Sequence, residues 1–132
     1  HFTYGMLEYG LASSANNAKT RDAHLAIADS EIKLAKDLGR SPINADEAMK
    51  LAGFVGDIKG DYRAASDYLR WGLQLAAPAN DKHQIQEIRL KLGVACYLSG
   101  QNDCAREQFE ALEKEVDLKQ LPIWQNILVF LN

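Results

Sequence analysis

The chain has 132 residues, of which 47 % are apolar and 25 % charged, and its formal net charge is −3. This length and apolar content predict a single domain with a buried core. Phosphate binding needs clustered lysine and arginine, and the longest basic grouping here is "KTR" at residues 19–21. The composition therefore argues against a nucleic-acid partner.

Two cysteines, Cys96 and Cys104, and three histidines offer little for covalent or metal chemistry. The cysteines are too few for a disulfide framework, and the histidines lack the spacing of metal ligands. We predict no catalytic residue, no metal and no cofactor, and we interpret the cysteines as small buried residues in a reduced, cytoplasmic setting. Their spacing leaves open whether the two sulfur atoms are close enough to bond. No run of about eighteen apolar residues is present, so no membrane span is expected.

The apolar spacing predicts an all-α chain, because alternating runs are missing and alanine and leucine dominate. The first helix, at residues 3–14, has an apolar stripe of Tyr4, Leu7 and Leu11. The second, at residues 21–39, has apolar residues at helical spacing, namely Leu25, Ala28, Ile32, Ala35 and Leu38. Five further helices are indicated by capping residues, glycines and prolines: residues 45–60, 61–78, 82–99, 103–116 and 121–132.

Two stretches, residues 52–72 and 92–112, have the same arrangement of small and large side chains. The matching positions are Gly53 with Gly93, Ile58 with Leu98, Gly60 with Gly100, Ala65 with Ala105, and Leu69 with Phe109. A glycine that faces a small residue in an antiparallel partner helix lets the two backbones approach closely, and a large residue one turn further fills the remaining space. We therefore predict Gly53 and Gly93 at the contacts within two helix pairs.

The second stretch is similar to the tetratricopeptide repeat, whose pattern is W-x2-L-G-x2-Y followed by A-x3-F. Leu92-Gly93-x2-Cys96 and Ala105-x3-Phe109 carry this resemblance, although a tryptophan and a tyrosine of the pattern are replaced by Arg89 and Cys96. The first stretch matches through Ala52-Gly53 and Ala65-x3-Leu69, with Gly56 where an aromatic residue is expected. Residues 28–35 resemble the second helix of a degenerate repeat, and Trp124-x2-Ile127 the opening of a further one.

The resemblance implies one domain of antiparallel helix-turn-helix repeats stacked in a right-handed superhelix, an α-solenoid of about seven helices. It divides residues 1–132 into a degenerate repeat at 3–39, repeats at 45–78 and 83–116, and a partial repeat or capping helix at 121–132.

The resemblance also implies a concave groove, lined by the first helix of each pair, that binds a peptide or partner helix. The groove residues that it implies are Glu47, Lys50, Phe54, Asp57, Glu87, Leu90, Val94 and Tyr97. The alternative for Leu90 and Val94 in particular is packing against a neighbouring helix. The chain is thus expected to be a non-catalytic scaffold for a protein partner.

The last predicted helix is apolar on nearly all sides, whereas the end of a repeat array usually presents a polar face. Three interpretations remain open: the chain is cut from a longer array, the helix folds against its own repeats, or two copies form a homodimer through it. The residues expected in such self-association are Trp124, Ile127, Phe130 and Leu131. The alternative functions are a regulatory or sensor segment of a larger signalling protein and a self-assembly module.

Overall fold

The computed structural model describes residues 2–38 and 44–115. Within them the chain forms six α-helices and a 3-10 turn, with no strand: α1 (Phe2–Ser13), α2 (Ala18–Asp37), α3 (Ala45–Asp57), α4 (Tyr62–Ala76), the 3-10 turn Ala77–Ala79, α5 (Lys82–Leu98) and α6 (Asn102–Glu113). The all-α class is confirmed. The predicted seventh helix at 121–132, with its proposed self-association residues, lies outside the described residues.

Side-chain caps fix the starts of four helices. Asn17, Asn44, Asp61 and Asp81 each accept a hydrogen bond from the backbone N–H three residues later, at the starts of α2, α3, α4 and α5. Each cap satisfies a helix N–H group that has no partner within the helix, and such a cap stabilises a protein by about 1 kcal/mol. The chain therefore begins each of these helices at a position that its own sequence specifies.

The helices associate as three antiparallel pairs, α1 with α2, α3 with α4, and α5 with α6. Within the second and third pairs, positive φ angles at Gly60 and Gly100 let the chain reverse direction. Four residues, 58–61, separate α3 from α4, whereas three, 99–101, separate α5 from α6.

This one-residue difference shifts the correspondence between the two pairs. The backbone N–H after Gly60 bonds to the carbonyl of Val55, and the N–H after Gly100 bonds to that of Cys96. Val55 and Cys96 are therefore equivalent, and one helical turn earlier the counterpart of Gly93 is Ala52. The sequence alignment is correct at the turns but is displaced by one residue in the first helix of each pair.

One glycine lies at the contact within each pair. A Cβ atom built on Gly5, Gly72 or Gly93 would come within 2.7, 3.2 or 2.4 Å, respectively, of the facing helix. At Gly93 the neighbour is the ring of Phe109, not the small residue that the sequence predicted. The prediction for Gly53 is wrong, because this residue is exposed and a Cβ there would meet nothing within 4 Å. In the second pair Gly72 takes the predicted role.

The second helices of the last two pairs contribute the predicted core residues. Ala65, Leu69, Ala105 and Phe109 are all 3 % exposed or less. They pack with apolar residues of the first helices, among them Leu51, Ile88 and Leu92. This continuous core extends from the first pair to the third.

The first pair departs from its predicted orientation. The stripe Tyr4, Leu7 and Leu11 of α1 is 46, 58 and 41 % exposed, so it does not face the core. α1 instead buries four other residues, namely Gly5, Glu8, Tyr9 and Ala12. The carboxylate of Glu8 can be buried because it pairs with Nδ1 of His24 in α2. In α2, the predicted residues Ala28, Ile32 and Ala35 are buried and Leu25 is partly buried, whereas Leu38 is 61 % exposed.

The junction between the first and second pairs is made mainly by α1 and α3. The ring of Tyr9 stacks on that of Phe54, with the ring centroids 5.8 Å apart. The Tyr9 hydroxyl donates a hydrogen bond to Asp29 of α2, and Lys59 Nζ lies 2.9 Å from the same carboxylate. Burial, and then the hydrogen bond to Asp29, raise the pKa of Tyr9, so the hydroxyl keeps its proton.

The junction between the second and third pairs is broader, because α4 contacts α5 extensively. Arg70 of α4 donates a hydrogen bond to Oε1 of Gln101, at 2.9 Å. Nε2 of Gln101 donates in turn to the hydroxyl of Ser66, also at 2.9 Å. The turn between α5 and α6 is thereby attached to the middle of α4.

Candidate interaction groove

An apolar groove of about 400 Å³ lies between α3 and α5, with α4 beneath it. Its two walls are formed by Met49, Gly53 and Gly56 of α3 and by Leu90, Val94 and Leu98 of α5. Ala65 and Leu69 of α4 form the floor. The groove is open on the α3 side at Gly53, which is exposed and where a Cβ would meet nothing within 4 Å, whereas Gly56 is buried against Tyr62 and Ala65 of α4.

Two charges of opposite sign border the groove. Asp57 belongs to the wall on α3 and Lys91 to the wall on α5, and both are exposed. The ammonium of Lys91 lies 3.5 Å from Glu87, one turn earlier in α5. An exposed pair of this kind is weak, so Lys91 can exchange its partner for an acidic group of a ligand.

The structure brings three of the eight residues implied by the resemblance to this groove. These are Asp57, Leu90 and Val94. The remaining five do not line it, and they are Glu47, Lys50, Phe54, Glu87 and Tyr97. Lys50, Glu87 and Tyr97 are exposed on other parts of α3 and α5, and Glu47 is partly buried.

Phe54 joins two helix pairs. Its ring is partly buried and stacks on Tyr9 at the junction of α1 with α3. Removal of this ring would loosen the attachment of the first pair, so the contact explains the residue without a ligand.

Sequence reasoning missed Leu98, Met49 and the two wall glycines. Leu98 follows Leu90 and Val94 at four-residue spacing, so the helical period contained the signal for this residue. The glycines could not be recognised in this way, because Gly53 was assigned to a contact inside its helix pair. Only the packed helices reveal that it faces open space.

Cys96 and Cys104 form a disulfide between the last turn of α5 and the first turn of α6, with their Cα atoms 5.9 Å apart. The interpretation as two reduced thiols is therefore wrong. Their expected place at a contact between helices is correct, since Cys96 is fully buried and Cys104 is partly buried. The disulfide is attached to the last helical turn of α5, which also contains the wall residue Leu98.

The first pair exposes a second apolar surface, which we call the outer face. It consists of Tyr4, Leu7 and Leu11 of α1 together with Ile27, Leu34 and Leu38 of α2, each at least 40 % exposed. A hydrogen bond to Glu8, and then the charges of Glu8 and of Glu31 in α2, raise the pKa of Tyr4. On both helices these exposed residues come directly before buried ones, as Leu7 does before Glu8 and Leu34 before Ala35. In an antiparallel pair the same one-residue offset on both helices leads to the same side, so the stripes of α1 and α2 lie together.

Among the residues that the structure describes, no three His, Cys, Asp or Glu side chains are grouped so that they would hold a metal ion. None of the helices described is both long enough and apolar enough to cross a membrane.

Comparison of the chain with protein-family models, with curated proteins and with solved structures gives no match. The groove and the outer face are therefore the features that indicate a function.

Proposed function

We propose that the chain is a non-catalytic protein-binding module that holds a peptide or a partner helix in the groove between α3 and α5. The observation that carries the proposal is the groove itself, which has glycines on one wall and large aliphatic side chains on the other. The gap in the α3 wall at Gly53 gives a ligand backbone close access, and the aliphatic wall gives it apolar surface to bury. This is the arrangement by which grooves accept amphipathic segments.

A tetratricopeptide-like repeat with a right-handed superhelix is part of the same proposal. Three features support it: the antiparallel pairing of consecutive helices, the close contact of Gly93 with Phe109, and the burial of Ala105 beside them. In such an array the first helices of consecutive pairs line one surface, which is where α3 and α5 form the groove.

The charges at the rim define the ligand further. Asp57 on one wall favours a basic residue of the ligand, and Lys91 on the other favours an acidic one. Between them the ligand should present apolar side chains three or four residues apart. We therefore expect a short amphipathic segment with charges of both signs.

The groove can be filled without disturbing the fold. Gly53→Leu places a side chain in space that is open, so it should leave the melting temperature unchanged or higher while weakening partner binding roughly tenfold, which corresponds to about 1.4 kcal/mol. The partner is first identified by retention of lysate proteins on the immobilised chain, and its affinity is then measured by calorimetry.

Gly10→Leu is the matched control, because Gly10 is also helical and a Cβ there also meets nothing within 4 Å. It should bind the partner as the unchanged chain does. The double variant Lys50→Glu, Tyr97→Ala tests whether the binding surface extends beyond the groove. Equal affinity of the Gly53→Leu and Gly10→Leu variants would refute the proposal.

Self-assembly is a second candidate function, and the outer face is the observation that favours it. Six large apolar side chains exposed on one side of a helix pair are typical of a surface that meets another protein. Light scattering should then show a mass that rises with concentration, and Leu7→Asp with Leu34→Asp should abolish the rise. A monomer mass at every concentration would exclude this candidate.

A further inference from the structure

The described chain ends beside the start of α5. After α6 the side chain of Glu115 accepts a hydrogen bond from Nε2 of Gln86, at 3.1 Å. Gln86 lies near the start of α5, one turn before Leu90, the first residue of that helix to line the groove. The described chain thus ends on the side of α5 that faces α6, one helical turn before the first groove residue.

The following segment is long enough to enter the groove. Five residues, 116–120, span up to about 17 Å when extended, whereas the path to Leu90 is about 6 Å along α5 and about 10 Å across that helix. As a helix, residues 121–131 would be about 16 Å long, compared with about 12 Å along α5 from Leu90 to Leu98. The segment therefore matches the groove in length and can reach it without any change in α6.

The segment also matches the groove in chemistry. Its side chains are largely apolar, with Ile123, Trp124, Ile127, Leu128, Val129, Phe130 and Leu131 in nine consecutive positions. The outer surface of α6 is charged and exposed at Asp103, Arg106, Glu107, Glu110 and Lys114. Burial of the segment is favourable against the apolar groove and unfavourable against this charged surface.

We propose that residues 121–131 occupy the groove between α3 and α5 of their own chain. The inference uses the groove of the proposed function but does not require that the groove bind another protein. If both hold, the partner competes with this segment, and its binding depends on displacing it.

Trp124 provides a direct test, since the chain has only two tryptophans and Trp71 can be replaced. In the full chain with Trp71→Phe, the emission of Trp124 should be shifted to the blue, and equally so at low and high protein concentration. Leu98→Asp, at an exposed wall position, should shift the emission to the red while the helical circular dichroism is kept. Leu7→Asp, at a leucine of α1 with similar exposure, should leave it unchanged.

Val94→Ser is the second wall variant and decides the test if Leu98→Asp unfolds the chain. Emission typical of exposed tryptophan before any wall substitution would overturn the inference, and so would emission that does not respond to the wall variants. A blue shift that grows with concentration would assign the segment to a second copy and would also overturn it. If Trp124 is exposed but the chain still captures a partner, the inference about the segment is wrong and the proposed function stands. If Trp124 is buried in the groove but no partner is captured, the inference stands and the proposed function is wrong.

Discussion

Gly93→Ala should lower the free energy of unfolding by about 1 to 2 kcal/mol, although alanine is normally the better helix former by about 1 kcal/mol. The added Cβ would lie 2.4 Å from the Phe109 ring, far inside van der Waals contact. The ring is only 2 % exposed, so it has little space into which to move. Overpacking therefore outweighs the gain in helix propensity.

Gly53→Ala is the matched control, and the two substitutions should have opposite signs. Gly53 faces open space, so alanine there should raise the free energy of unfolding by roughly 0.5 to 1 kcal/mol. Urea titrations followed by circular dichroism measure both values. Equal effects at the two positions would mean that Gly53, and not Ala52, is the packing equivalent of Gly93.

Loss of the disulfide should lower the free energy of unfolding by about 2 to 3 kcal/mol, because the bond closes a short loop in the unfolded chain. Cys104→Ser removes the bond with the smaller disturbance, since Cys104 is partly buried and Cys96 is completely buried. The same loss should follow treatment of the unchanged chain with a reductant. Urea titrations under oxidising and reducing conditions give both values.

The control for this experiment is the Cys104→Ser variant with and without reductant, which should show no difference. A thiol count on the unfolded, untreated chain should find no free thiol. Two reactive thiols, together with a stability that does not respond to reductant, would contradict the disulfide and restore the reduced interpretation.

The all-α class could be predicted from the sequence because it depends on local information. Helical spacing, the caps at Asn44, Asp61 and Asp81, and the glycines at the turns are each encoded within a few residues. The core positions of the second helices were also correct, since Ala65-x3-Leu69 and Ala105-x3-Phe109 repeat the same period.

The errors arose where burial depends on residues far apart in the sequence. On α1, Tyr4, Leu7 and Leu11 form a good apolar stripe, yet the buried side includes Glu8 and Tyr9. These two polar side chains find their partners in α2, with His24 and Asp29 respectively. No periodicity of α1 alone predicts that a carboxylate will be buried, because its partner lies in another helix.

The structure has an apolar groove between the two helices that the resemblance implied, but only three of the eight implied residues line it. The resemblance placed it on α3 and α5, and Asp57, Leu90 and Val94 do line it. Glu47, Lys50 and Phe54 of α3 were projected with an alignment that is one position out of register in this helix, because the turn after it is longer by one residue. Glu87 and Tyr97 of α5 are exposed on another side of their helix. A single residue rotates a helix by about 100°, which is enough to move a side chain from a groove to a neighbouring surface.

The unequal junctions between the helix pairs have a consequence for cooperativity. In a linear array, stability is the sum of the intrinsic terms of each repeat and the coupling between neighbours. The coupling is strong between α4 and α5, where Arg70, Gln101 and Ser66 join the two pairs, and weak between α1 and α3. We therefore expect residues 44–115 to unfold as one cooperative unit and the first pair to open at a lower free energy, with the groove still formed.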